Sequence, residues 1–64
     1  MQSYQAMSKG TFSIEKENNK QSSFTRYHVY ACIKSQNGNF IIKDNEGSAV
    51  ELEPIYALEC FWIK

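Results

Sequence analysis

Apolar and polar side chains alternate with a period of two through most of the chain, and the pattern predicts a β-rich protein. Thr11 to Glu17 sets Phe12 and Ile14 against Thr11, Ser13 and Glu15, the signature of a half-buried strand. From Phe24 to Gln36 the alternation puts Tyr27, Val29, Ala31 and Ile33 on an apolar face and Arg26, His28, Tyr30 and Lys34 on a polar one. A strand of roughly thirteen residues is twice the usual length, so it is predicted to bend. Asn37-Gly38 follows as a tight hairpin turn, because both residue types accept positive φ. Asn39 to Asp44 brings Phe40, Ile41 and Ile42 in succession, apolar on both faces. Asp44 to Gly47 reads as a second turn, and Ser48 to Glu53 as a strand with Val50 and Leu52 inward and Glu51 and Glu53 outward.

Pro54 ends that strand, since it has no N–H for the ladder, and suits the first position of a helical turn. Ile55 and Leu58 share a face of such a turn, after which Phe61 and Ile63 alternate with Cys60 and Trp62 as a closing strand. A single helix over 54–63 competes with this reading, because Ile55, Leu58 and Trp62 also keep helical spacing. Met1 to Gly10 lacks a clear period and is expected to be a mobile tail, which leaves one small domain over 11–64. Asn18 to Ser23 contains no apolar residue and is predicted to be a loop.

This order of elements resembles that of SH3-like small barrels, most closely over Ile33 to Lys64, where a hairpin leads into VELEPIYALE and a closing strand. The resemblance implies an all-β or β-rich fold with one short helical turn, as a five-stranded barrel or a curved antiparallel meander. The alternative is an α+β fold with a helix at 54–63 on a four-stranded antiparallel sheet. The ALYDY-like segment of the peptide-binding type is absent, as are the first-turn glycine and basic face of the ribosomal type. Such an architecture hosts many functions, so the site has to be argued from side chains.

Composition narrows the classes. The chain has 64 residues, 42% of them hydrophobic, including one Trp, four Tyr and four Phe, enough for a small aromatic core. A net charge of zero argues against a protein built mainly to neutralise phosphates. The charges are nonetheless unevenly spread: Lys9, Lys16, Lys20, Arg26 and Lys34 outnumber Glu15 and Glu17 in residues 1–36, and five acids outnumber Lys43 and Lys64 beyond them. Cys32 and Cys60, with no secretory pattern and no C-x-x-C spacing, read as reduced, packed thiols of a cytoplasmic protein. No run approaches 18 apolar residues, so no membrane span is expected. One histidine and two distant cysteines are too few for a metal site, and no cofactor motif is present.

His28 lacks any triad or nucleophile context, and no catalytic residue is expected. The predicted function is therefore a non-catalytic module that binds another protein, an inhibitor or adaptor of the kind found among phage and mobile-element accessory proteins. Arg26, His28, Tyr30 and Trp62 are the expected contact surface, with Glu51 and Glu53 as an acidic flank. Unpaired sheet edges would also let two copies join as a homodimer. The alternative is a nucleic-acid-binding barrel using Lys16, Lys20, Arg26 and Lys34, with Tyr27, Tyr30 or Phe40 as stacking platforms.

Overall fold

A computed structural model describes residues 3–16 and 20–64. The elements run β1 (Ser3–Ser8), β2 (Phe12–Glu15), β3 (Gln21–Phe24), β4 (Val29–Lys34), β5 (Phe40–Lys43), β6 (Ala49–Leu52), α1 (Pro54–Cys60) and β7 (Phe61–Ile63). Five strands form an antiparallel sheet in the order β6-β5-β4-β1-β7, and β2 and β3 pair only with each other. The protein is thus β-rich with one short helix, an open curved sheet with a two-stranded hairpin; the strands do not close into a barrel.

Two hairpin turns built alike shape the meander β4-β5-β6. Ser35 accepts the Gly38 N–H on its carbonyl at 3.0 Å and donates its own N–H to the Asn39 carbonyl at 2.7 Å. Asp44 does the same with Gly47 at 3.1 Å and Ser48 at 2.8 Å. Gly38 and Gly47 sit at φ +86° and +87°, where a β-carbon would be strained. Both are four-residue turns closed by a left-handed glycine. The hairpin expected at Asn37-Gly38 is present, but only Gly38 takes a positive φ there.

The expected tail is a central strand. β1 pairs with β4 from Ser3↔Ile33 to Met7↔Val29, and with β7 through Ala6↔Ile63, Met7↔Trp62 and Ser8↔Phe61. Its inward positions are Tyr4, Ala6 and Ser8; Ala6 and Ser8 are completely covered. These are small or hydroxylic side chains, so their alternation barely registers as hydrophobic, although between two strands it is what a close approach requires.

The long strand predicted over 24–36 is broken at Thr25–His28. The His28 N–H donates to the Thr25 carbonyl (3.1 Å), and Tyr27 at φ +67° donates its N–H to the Ser8 carbonyl (2.8 Å). Gln21–Ser23, read as loop, belongs to β3, whose Ser22 and Phe24 face inward. The expectations for Glu17, Asn18 and Asn19 lie outside the described residues.

The break also reverses the faces of β4. Tyr30 and Cys32 point into the core, while Val29 and Ala31 face out and Ile33 is half-buried. A tyrosine can be buried when its hydroxyl is satisfied. The Tyr30 hydroxyl accepts the Thr25 N–H at 2.6 Å and donates to Asn45 Oδ1 at 2.6 Å. The core is a cluster of rings: Phe24 lies 5.0 Å from both Tyr30 and Phe61 and 5.4 Å from Phe12, centroid to centroid. Cys32, Phe40, Ile42, Leu52 and Ala57 fill the rest.

At the C-terminus both readings are partly right. The helical turn begun by Pro54 extends to Cys60, and the closing strand follows, so no helix continues through Ile63. The Phe61 N–H caps the helix on the Ala57 carbonyl.

Asp44 pins the β5–β6 turn. Its Oδ1 accepts the N–H groups of Glu46 (2.8 Å) and Ser48 (3.0 Å), and Oδ2 lies 3.7 Å from Lys16 Nζ on β2's flank. Burial by itself would raise its pKa; the nearby Ser22 hydroxyl, the two N–H groups and Lys16 outweigh it and hold the carboxyl below its ordinary 3.8. The Ser22 hydroxyl itself falls short of hydrogen-bond geometry. A depressed folded-state pKa means stability that is complete above the unfolded pKa and is lost as pH falls through the folded value. Resistance to urea should therefore weaken steadily below roughly pH 5, and Asp44→Asn should flatten that slope. An unchanged slope in the variant would exclude Asp44 as its source.

Candidate functional site on the uncovered face of the sheet

Alternation along the five strands gives the large sheet an inner face on the core and an outer face that no described element covers. The register sets Trp62 of β7, Met7 of β1 and Val29 of β4 side by side, and further along aligns Ser3, Ile33, Ile41 and Glu51 across β1, β4, β5 and β6. Trp62, Met7 and Val29 remain 48%, 36% and 53% exposed. They border a concavity of about 430 Å³ with Gln5 and Lys64, and a second apolar depression runs over Ala31, Ile33, Ile41 and Ala49.

Beside Trp62 the broken segment contributes a second ring. Tyr27 stacks on Trp62 with centroids 6.3 Å apart and planes 18° from parallel. The Arg26 guanidinium lies 4.5 Å from the Tyr27 centroid and donates through Nη2 to its hydroxyl at 2.7 Å. Lys9 Nζ lies 5.5 Å from the Trp62 centroid and donates to the Leu58 carbonyl at 3.0 Å. The left-handed backbone of Tyr27 costs a non-glycine residue about 1–2 kcal/mol, and the Arg26 N–H bond to Thr11 Oγ1 (3.0 Å) helps hold it.

The residues expected to form the contact surface do not come together. Arg26 and Trp62 meet at the β7 end through Tyr27. His28 is exposed at the entry to β4. Tyr30 is 8% exposed and belongs to the core, so it is not a surface contact. Glu51 lies on β6, where it accepts from Asn39 Nδ2 at 2.9 Å, and Glu53 is the N-cap residue of α1. β6 and β7 are opposite edges of the sheet, four spacings or about 19 Å apart, so the two acids do not flank Trp62.

The set expected for nucleic acid also disperses. Phe40 and Tyr30 are buried, Lys16 faces Asp44, and Lys34 lies over the Phe40 ring at 5.8 Å. Lys20 is exposed ahead of β3, and Tyr27 alone of the three rings stays accessible as a platform. Sequence reasoning missed Met7, Val29 and Lys9. The available signal was the outward set Ser3, Gln5, Met7, which shows only once β1 is recognised as a strand.

No three of the described His, Cys, Asp and Glu residues gather as a metal site. Both thiols are free; burial raises the pKa of Cys32, and burial with Glu59 raises that of Cys60 against opposing effects of Tyr56 and Lys9, so both are protonated at neutral pH. No described helix is long and apolar enough to cross a membrane. Comparison of the chain with protein-family models, curated proteins and solved structures finds no match.

Proposed function

We propose that this protein is a non-catalytic interaction module that docks another protein on the outer face of its five-stranded sheet, in the cytoplasm, where its two thiols stay reduced. The observation that carries the reading is the in-register row Trp62, Met7 and Val29, apolar and uncovered. Tyr27 and Arg26 extend the row with the residue types that dominate protein contacts, an aromatic anchor and a guanidinium at its rim. Lys9, Lys64 and Arg26 give this end of the face a basic border, which suits a partner with an apolar patch and acidic surroundings.

A photo-reactive side chain at Val29, with Glu46 on the β5–β6 turn as control position, tests the reading in the host cell. Cross-links to a distinct protein are expected from position 29 and not from 46. Val29→Glu should abolish capture of that protein while shifting unfolding by no more than about 0.5 kcal/mol, as for most surface substitutions. Equal yields at the two positions, no product at 29, or competition by a single-stranded oligonucleotide would overturn it.

A further inference from the structure

We propose that β7 is a dimerisation edge, at which a second copy of this chain adds its own β7 antiparallel to the first and joins two five-stranded sheets into one. The inference rests on the backbone groups of β7 and goes beyond the docking reading, although Trp62 belongs both to this edge and to the docking face. Gln5 and Lys64 exchange both backbone hydrogen bonds (2.9 and 3.0 Å), and the Lys9 N–H reaches the Cys60 carbonyl at 2.9 Å. Bonding alternates along an antiparallel ladder, so Cys60, Trp62 and Lys64 turn their backbone groups to β1, while Phe61 and Ile63 turn theirs to the free edge. The Phe61 N–H is used by Ala57. The Phe61 carbonyl and the Ile63 N–H and carbonyl have no backbone partner among the described residues.

These groups are self-complementary. With Trp62 on the two-fold axis, Phe61 of each copy opposes Ile63 of the other, and each Ile63 N–H meets the opposite Phe61 carbonyl. The triplet Phe61-Trp62-Ile63 is apolar throughout, so the register sets Trp62 against Trp62 and Phe61 against Ile63 across the seam. A net charge of zero opposes no such pairing. β7 carries neither charge nor proline nor bulge, and its length of three residues is its one guard against edge pairing. The other edge is protected: β6 carries Glu51, is stopped by Pro54, and shares a cleft with Glu15 and Lys16. The two-fold also places both Trp62 rings on one side of the joined sheet, so the two exposed apolar rows become continuous.

Sedimentation of the full chain across micromolar to near-millimolar concentration should show the 7.4 kDa monomer passing to a species of about twice that mass. Ligating a synthetic 60–64 segment at Cys60 allows Ile63 to be N-methylated, which removes one edge donor and leaves side chains and β1 pairing intact. That chain should keep its far-ultraviolet spectrum and dimerise at least tenfold more weakly. In a separate variant, Trp62→Cys should cross-link on oxidation at least tenfold faster than Glu46→Cys, since a pair on the axis is within disulfide reach. A chain monomeric throughout, an N-methylated chain that dimerises equally or unfolds, or equal cross-linking of the two cysteine variants would overturn the proposal.

Discussion

Phe24→Ala should leave the chain unfolded in water at 25 °C. Phe24 is completely buried, and its ring touches those of Phe12, Tyr30 and Phe61. Emptying such a position costs about 3–5 kcal/mol. A single core in a domain this small rarely supplies more than about 3–5 kcal/mol, so the loss consumes most or all of it. The position also joins the layers: Phe24 is carried by the hairpin, Tyr30 and Phe61 by the sheet, and Phe12 and Ile14 are the hairpin's other apolar anchors. Phe24→Leu keeps most of the volume and should remain folded with a loss of about 1–2 kcal/mol. Urea titrations followed by circular dichroism decide the matter; an alanine variant that folds with a loss below about 2 kcal/mol would show that the hairpin is not secured by this ring.

Tyr30→Phe should cost roughly 2–3 kcal/mol although it removes a single oxygen. That oxygen accepts from the Thr25 N–H and donates to Asn45 Oδ1, both at 2.6 Å. Its removal leaves the Thr25 N–H without this acceptor, and an unsatisfied half-buried donor is more expensive than an average hydrogen bond is worth. Asn45 also donates its N–H to the Ser23 carbonyl (3.0 Å) and its Nδ2 to Thr25 Oγ1 (3.1 Å). One hydroxyl thus couples the β5–β6 turn to β3. A double-mutant cycle with Asn45→Ala should return a coupling of about 0.5–3 kcal/mol. Additive losses, or a Tyr30→Phe variant as stable as the parent, would mean that the ring sits in water as a contact residue after all.

Tyr30 also shows how far the fold could be read from residues alone. Period-two alternation, the two glycine turns and the Pro54 stop were legible, because each reflects local backbone chemistry. The facing of β4 was not. Tyr27, Val29, Ala31 and Ile33 form the more apolar set by composition, and a tyrosine counts as polar until a distant Asn45 is seen to satisfy its hydroxyl. β1 was invisible for a related reason: Ala6 and Ser8 are buried by neighbours far along the chain, and nothing in MQSYQAMSKG announces them. Of the contact surface, Trp62 and Arg26 could be picked out by residue type. Tyr27 reaches them only through a left-handed residue, and no pattern in the sequence marks that conformation at a tyrosine.

The bonds between Gln5 and Lys64 have a consequence for how the molecule is made. β1 occupies a slot whose second wall, β7, lies far downstream in the sequence, so a nascent chain that lacks β7 cannot complete the sheet. Assembly then waits on closure of the long loop between β1 and β7, which is entropically slow and places the domain among proteins that fold in milliseconds to seconds. Until then the strip that will bury Ala6 and Ser8 stays open on one side, and a nascent chain held there is a natural client for chaperones.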